Sequence, residues 1–243
     1  MNRRTATALA LVLAAVLGLP AAGAAQARRA EELRYPPLRS FEIPKPERVV
    51  LDNGLVVMLL ADHELPLIEA TALIRTGNRL DPADKVGLAE IAAEVVRTGG
   101  TTKMTGDQLD EFLESRAAVV EVRATRDLTE ANLSSLREDF PDVLRIFADV
   151  LRRPAFDERR LEVARTRAVA SVSRQNDEAF EIMDREFNKI IYGADSPYGR
   201  SKTYATLGGI RREDLAAWHA EHFHPDRIVL GLVGHLDRDE VLR

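Results

Sequence analysis

Gly87-Leu88-Ala89-Glu90-Ile91-Ala92-Ala93-Glu94-Val95-Val96-Arg97-Thr98-Gly99-Gly100-Thr101 carries an apolar pattern that ends in a pair of glycines. Leu88, Ile91, Ala92, Val95 and Val96 recur at three- and four-residue spacings, the period of a helix with one apolar face. A helix is therefore expected from Val86 to Arg97, stopped by Gly99 and Gly100. Glu90 and Glu94, four residues apart, share one side of it. Two carboxylates so placed favour a hard ion such as calcium or magnesium over zinc, but two ligands are too few for a tight site. The plainer expectation is a solvated helix face, with Arg97 three residues from Glu94 giving a weak charge pair.

Outward from this helix, Val49–Leu51 and Leu55–Leu60 flank Asp52-Asn53-Gly54, a turn sequence that predicts a β-hairpin. Leu67–Arg75 reads as a third strand. Thr105 with Gln108 forms a capping-box pattern opening a helix to about Ser115, and Ala117–Ala124 with Ala131–Arg137 read as paired strands. Helices follow over Asp139–Arg152, Asp157–Asn176, Glu178–Ile191 and Arg212–His222, and a strand over Ile228–Val233. Strands first, helices in the middle and a final strand predict an α+β fold, a mixed or antiparallel sheet with helices packed on one face.

The 243 residues carry 34 Lys and Arg against 39 Asp and Glu. Arg3 and Arg4 precede the apolar run Ala8–Leu19, which ends at Ala25-Gln26-Ala27, the pattern of a secretory signal over residues 1–27. That run is shorter than the roughly 20 residues a membrane span needs, so no stable membrane anchor is expected and a periplasmic location is. Removing residues 1–27 leaves 216 residues with a net charge near −7, a balance that argues against nucleic acid as a partner. There is no Cys, which excludes disulfides and thiolate metal sites. Residues 28–47, with Pro36, Pro37, Pro44 and Pro46, read as an extended lead-in, and residues 48–243 as a single domain.

The order of elements and several strings resemble the pitrilysin and insulinase family of zinc metallopeptidases, which includes the mitochondrial processing peptidases. The strings are Leu51–Val57 for an LDNGLxV hairpin, Gly87–Ala89 opening the helix, Gly100-Thr101 after it and Phe147–Pro154. Ser196–Gly199 stands where the family has HPYG, and Trp218-His219, Pro225 and Val233-Gly234 complete the pattern. The resemblance implies the family's metallopeptidase-half fold, of the N-terminal type, with its C-terminal domain absent. In the family that helix carries HxxEH, in which two His bind zinc and a Glu handles the proton of the metal-bound water. Here the resemblance puts Glu90 at the first ligand, Ala93 at the base and Glu94 at the second ligand. The third ligand, a Glu on a later helix, falls on Ser171. A hydroxyl is a poor zinc ligand beside imidazole or carboxylate, and a missing base forfeits about 10² to 10⁴ in rate. No catalytic residue, no metal ligand and no cofactor are therefore expected, zinc included.

His219, His222 and His224 form a second metal candidate, since the first two can share a helix face and the third lies just past its end. Against it, His219 matches an ordinary position of the family string, and His222 and His224 stand at a helix terminus whose dipole favours imidazolium. His63 and His235 read as isolated surface residues. In the family, paired halves enclose a chamber, and one half often lacks zinc while helping to hold an extended peptide. The resemblance thus implies a non-catalytic secreted subunit that binds peptide or unfolded protein by strand addition and pairs, as a hetero-oligomer, with an HxxEH-bearing catalytic member. The alternatives are a metal-dependent endopeptidase with atypical ligands, Glu90 and Glu94, and a structural scaffold without peptide affinity.

Overall fold

The structure, a computed structural model, describes residues 43–242. The expected signal over 1–27 and the lead-in as far as residue 42 lie outside the described residues. Residues 43–46 have no regular structure, and the first strand starts at Glu47.

Among the described residues six strands form one mixed sheet: β1 (Glu47–Val50), β2 (Val56–Ala61), β3 (Leu67–Ile74), β4 (Val119–Ala124), β5 (Thr129–Leu136) and β6 (Ile228–Gly234), in the order β1-β2-β6-β3-β5-β4. The expected hairpin is β1–β2, with Gly54 at φ +86° in its turn and the Leu55 amide donating to Asn53 Oδ1 at 3.1 Å. The final strand is inserted at the centre, parallel to β2 and antiparallel to β3. Side chains alternate across the pleat: Ile68, Ala70, Ala72 and Ile74 of β3 are buried on one face with Ala131 and Leu133 of β5 and Val120 and Val122 of β4. The opposite face carries Glu69, Asn132 and Glu121, with Thr71 Oγ1 donating to Asn132 Oδ1 at 2.8 Å.

The α-helices among the described residues are α1 (Leu88–Thr98), α2 (Gly106–Glu114), α3 (Phe140–Arg152), α4 (Glu158–Arg174), α5 (Ala179–Tyr192), α6 (Tyr204–Gly208), α7 (Arg212–His222) and α8 (Arg238–Val241). The helix-bearing face of the sheet is covered by α1 through Leu88, Ile91, Ala92, Val95 and Val96, all buried. Thr105 and Gln108 make the reciprocal capping box of α2, at 2.9 and 3.3 Å. Asp157 caps α4 through the Arg160 amide. No helix among the described residues is long and apolar enough to cross a membrane.

One element departs from the sequence expectation: Ala117, read as the start of a strand, adopts φ +47° and precedes β4. The expected helix α5 buries no residue: Phe180 and Ile190 are each 80 % exposed, and Met183, Phe187 and Ile191 more than half.

The start of α1 is fixed from outside the helix. Gly87 precedes it at φ +108°, and the buried Asp81 accepts the amide hydrogens of Gly87 at 2.8 Å and Ala89 at 3.0 Å. Burial raises the Asp81 carboxyl to about 6, outweighing those two donors. A carboxyl raised in the folded state stabilises below its unfolded value of 3.8, and that contribution disappears as pH climbs through about 6. Urea unfolding of wild type and Asp81→Asn should show a stability difference that falls by roughly 2–3 kcal/mol, at about 1.4 kcal/mol per unit, between pH 4 and pH 7. A difference independent of pH would contradict this.

Candidate functional site

The motif positions of α1 point towards α4 and the segment 196–202. Ala93 is fully buried, packed into the core, so the position of the expected base offers only a methyl group. Glu90 and Glu94 are half-buried and each holds a cation. Lys202 Nζ lies 2.5 Å from Glu90 Oε2, while Asn78 Nδ2 donates to Oε1 at 3.1 Å. Arg167 of α4 donates to Glu94 Oε1 at 2.7 Å. The expected Glu94–Arg97 pair does not form, nor is the face simply solvated. Arg97 turns towards β4 and α2, where it binds the Val120 carbonyl and Asp110, the latter at 2.8 Å, because those acceptors are fixed by the fold.

Ser171 lies one turn beyond Arg167 on α4 and lines, with Glu90, Asn78 and Lys202, a cleft of about 230 Å³. The structure thus brings Glu90 and Ser171 to one cavity, with Glu94 on its flank in an adjoining groove. Among the described residues no three His, Cys, Asp or Glu side chains gather in a metal-binding arrangement. This donor set does not fit zinc: two carboxylates already neutralised by an ammonium and a guanidinium, a hydroxyl, and no imidazole.

The segment Ser196-Pro197-Tyr198-Gly199 forms the far wall of the cleft. Its Gly199 is required, since a Cβ there would meet the Gly193 carbonyl oxygen at 2.0 Å. Tyr198 donates its hydroxyl to Asp127 Oδ1 at 3.2 Å and lies under the guanidinium of Arg126, 5.7 Å from the ring centroid. Both partners sit in the β4–β5 turn, so this wall is tied to the sheet.

A groove of about 630 Å³ runs beside the cleft between α1 and β4, sharing Asn78, Glu90 and Lys202 with it and adding Glu94, Arg97, Glu121 and Val122. Among the described residues β4 is an edge strand, paired only with β5.

The three histidines of α7 and its end are engaged otherwise. His219 shares its Nε2 hydrogen bond with the Leu151 carbonyl, 2.9 Å away at the end of α3. His222 is buried, with Arg227 donating to Nδ1 across 3.2 Å. Burial lowers both imidazoles below the ordinary histidine range, so for His222 the expected help of the helix dipole is outweighed by desolvation. His63 and His235 are not isolated: their rings stack edge-on with centroids 4.6 Å apart.

Residues 56–200, more than half of the chain, match the family model of the insulinases, peptidase family M16. The chain belongs to the insulinase family. Residues 209–243 match the model of the family's inactive domain. Among relatives, subunit 1 of the rat mitochondrial cytochrome b-c1 complex is 24 % identical over 221 residues, covering 86 % of this chain and 45 % of that protein. A non-peptidase homolog of Helicobacter pylori, YmxG, is 24 % identical over 184 residues, covering 75 % and 42 %. A solved structure of a peptidase M16 inactive domain from Pseudomonas fluorescens superposes with a TM-score of 0.76 at 22 % identity, covering 81 % of this chain and 48 % of that one. The chain spans less than half the length of these relatives. The likeness shows that the α+β sheet with helices on one face is the insulinase-family half-domain fold.

The three departures at 90, 93 and 94 were legible in the sequence; the cations that hold the two carboxylates were not, since Lys202 and Arg167 lie 112 and 73 residues away. His219→Ala, which leaves the Leu151 carbonyl without its partner, should cost about 1–3 kcal/mol in chemical unfolding. Proton NMR should find His219 and His222 titrating below the ordinary histidine range. A variant as stable as wild type, or rings that titrate as free histidine does, would refute the assignment.

Proposed function

We propose that this chain is a non-catalytic, secreted insulinase-family component that holds an extended peptide along β4 and assembles with an HxxEH-bearing catalytic member. Zinc plays no part in this reading. The observation that carries it is the juxtaposition of an open strand edge with a motif helix whose two carboxylates are occupied by Lys202 and Arg167. With Glu90 and Glu94 paired to cations and a methyl group at the base position 93, the cleft lacks the carboxylate that would take the proton from an attacking water. What remains is a groove walled by the outer edge of β4, where Arg97 takes the Val120 carbonyl and the rest of the strand edge is the arrangement that accepts an added strand.

Support for assembly comes from α5. Phe180, Met183, Phe187 and Ile190 form an apolar stripe at helical spacing on the protein surface, and exposed apolar patches of this kind mark interaction faces. The relatives named as a non-peptidase homolog and an inactive domain support the non-catalytic part. The sequence pattern of residues 1–27 supports export to the periplasm.

Purified protein should leave a denatured polypeptide intact, and should raise its cleavage when mixed with the catalytic partner. Chelator-sensitive cleavage by the protein alone would defeat the proposal, and assembly without any effect of peptide would favour a scaffold. Strand addition makes a sharper demand. An extended peptide N-methylated at alternate residues should bind about tenfold more weakly than its unmodified parent, because methylation removes the donors that face β4; equal affinities would exclude this binding mode.

A further inference from the structure

The cleft beside Glu90 is cationic although the chain as a whole is acidic. Arg126, Arg185, Arg200 and Lys202 line it against the carboxylates of Glu90 and Glu181, in a chain of net charge −5. Two of the four cations are committed. Lys202 holds Glu90. Arg185 donates to the Gln175 carbonyl at 2.9 Å, to Asn176 Oδ1 at 2.8 Å and to Glu186 at 3.1 Å.

Arg126 and Arg200 are different: among the described residues neither has a carboxylate within ion-pair distance. The Nε of Arg200 is buried and has no hydrogen-bond partner. A buried donor left unpaired costs about 1–3 kcal/mol, so an acceptor brought to this guanidinium is stabilised there. Glu90 does not supply it: its oxygens accept from Asn78 and Lys202. Arg126 is held in place from two sides. Its carbonyl accepts the Arg79 amide at 3.1 Å, and its guanidinium rests over Tyr198, whose chain leads directly to Arg200.

We propose that Arg126 and Arg200 form a carboxylate site, filled by an acidic side chain or the C-terminus of a bound peptide. This deepens the peptide-binding reading and rests on it. The chemistry favours carboxylate because a planar guanidinium presents paired N–H donors that match its two oxygens. Glu181, which lines the same cleft, repels a phosphate dianion about twice as strongly as a singly charged carboxylate at the same distance. The route is supplied by the groove along β4, which shares Asn78, Glu90 and Lys202 with the cleft. Arg126 stands in the turn at the end of that strand. A peptide laid along β4 therefore leads to both guanidiniums.

The test uses four matched extended peptides, with Glu or Gln at one central position and a free or amidated C-terminus, titrated into the full chain by fluorescence anisotropy. Glutarate alone is followed separately through the ¹⁵Nε resonance of Arg200. Peptides bearing a carboxylate should bind about tenfold more tightly than the Gln, amidated peptide, and the arm that carries the gain identifies side chain or terminus. Arg126→Gln, an exposed position expected to fold normally, should abolish the difference, as should Arg200→Gln where circular dichroism shows it folded. Equal affinity for all four peptides would overturn the carboxylate site and leave peptide binding standing. Binding of no peptide, with glutarate still shifting the Arg200 resonance in wild type and not in Arg126→Gln, would overturn the peptide reading and keep the anion site. No response to either probe would overturn both.

Discussion

The contact between Lys202 and Glu90 is the constraint on which the character of this cleft depends. α1 is pinned to the sheet by its buried apolar side and held at its start by Asp81, so Glu90 has one place to project. The ammonium that meets it there is tethered to the chain and singly charged, and it has no open coordination position to offer a water molecule. Arg167 does the same for Glu94. Each pair is partly exposed, and such pairs add about 0–1 kcal/mol to stability; their consequence is chemical rather than energetic, since each carboxylate is charge-paired at a position that the sequence resemblance aligns with the family's metal ligands.

What is left of an insulinase-type site is its shape. The edge strand, the motif helix and the 196–199 wall keep their positions through contacts that need no metal: Arg97 joins α1 to the Val120 carbonyl of β4, Tyr198 joins the wall to the β4–β5 turn, and Gly199 packs against the Gly193 carbonyl. The proposed peptide-holding role rests on a groove maintained in this way. Charge is arranged around it, with Lys202 on Glu90 and, among the described residues, no carboxylate in ion-pair distance of Arg126 or Arg200, which line the same cleft.

Much of the fold was legible because local signals agreed with one another. The period of residues 88–96, the Thr105–Gln108 box, the Asp157 cap and the alternation in β3 and β5 each specify an element within a few residues of where it lies. Pairings between distant segments were not. Nothing in Ile228–Gly234 says that it enters the middle of the sheet beside β2, and the short helix Tyr204–Gly208 begins with a Thr203–Thr206 box that lacks the usual Glu or Gln. At the site, the residue types at 90, 93, 94 and 171 announced what was missing, while the replacement cations could be found only once the fold had brought Lys202 and Arg167 to them. The buried state of His222 was hidden for a related reason: a helix terminus reads as solvated until Arg227 and Trp218 are seen packed against it.

The most direct test of the account is calorimetric titration of zinc into tag-free protein. If Lys202 and Arg167 hold Glu90 and Glu94 as described, no heat of binding should appear at micromolar zinc. A micromolar site that disappears in Glu90→Gln and Glu94→Gln would contradict the account at its root.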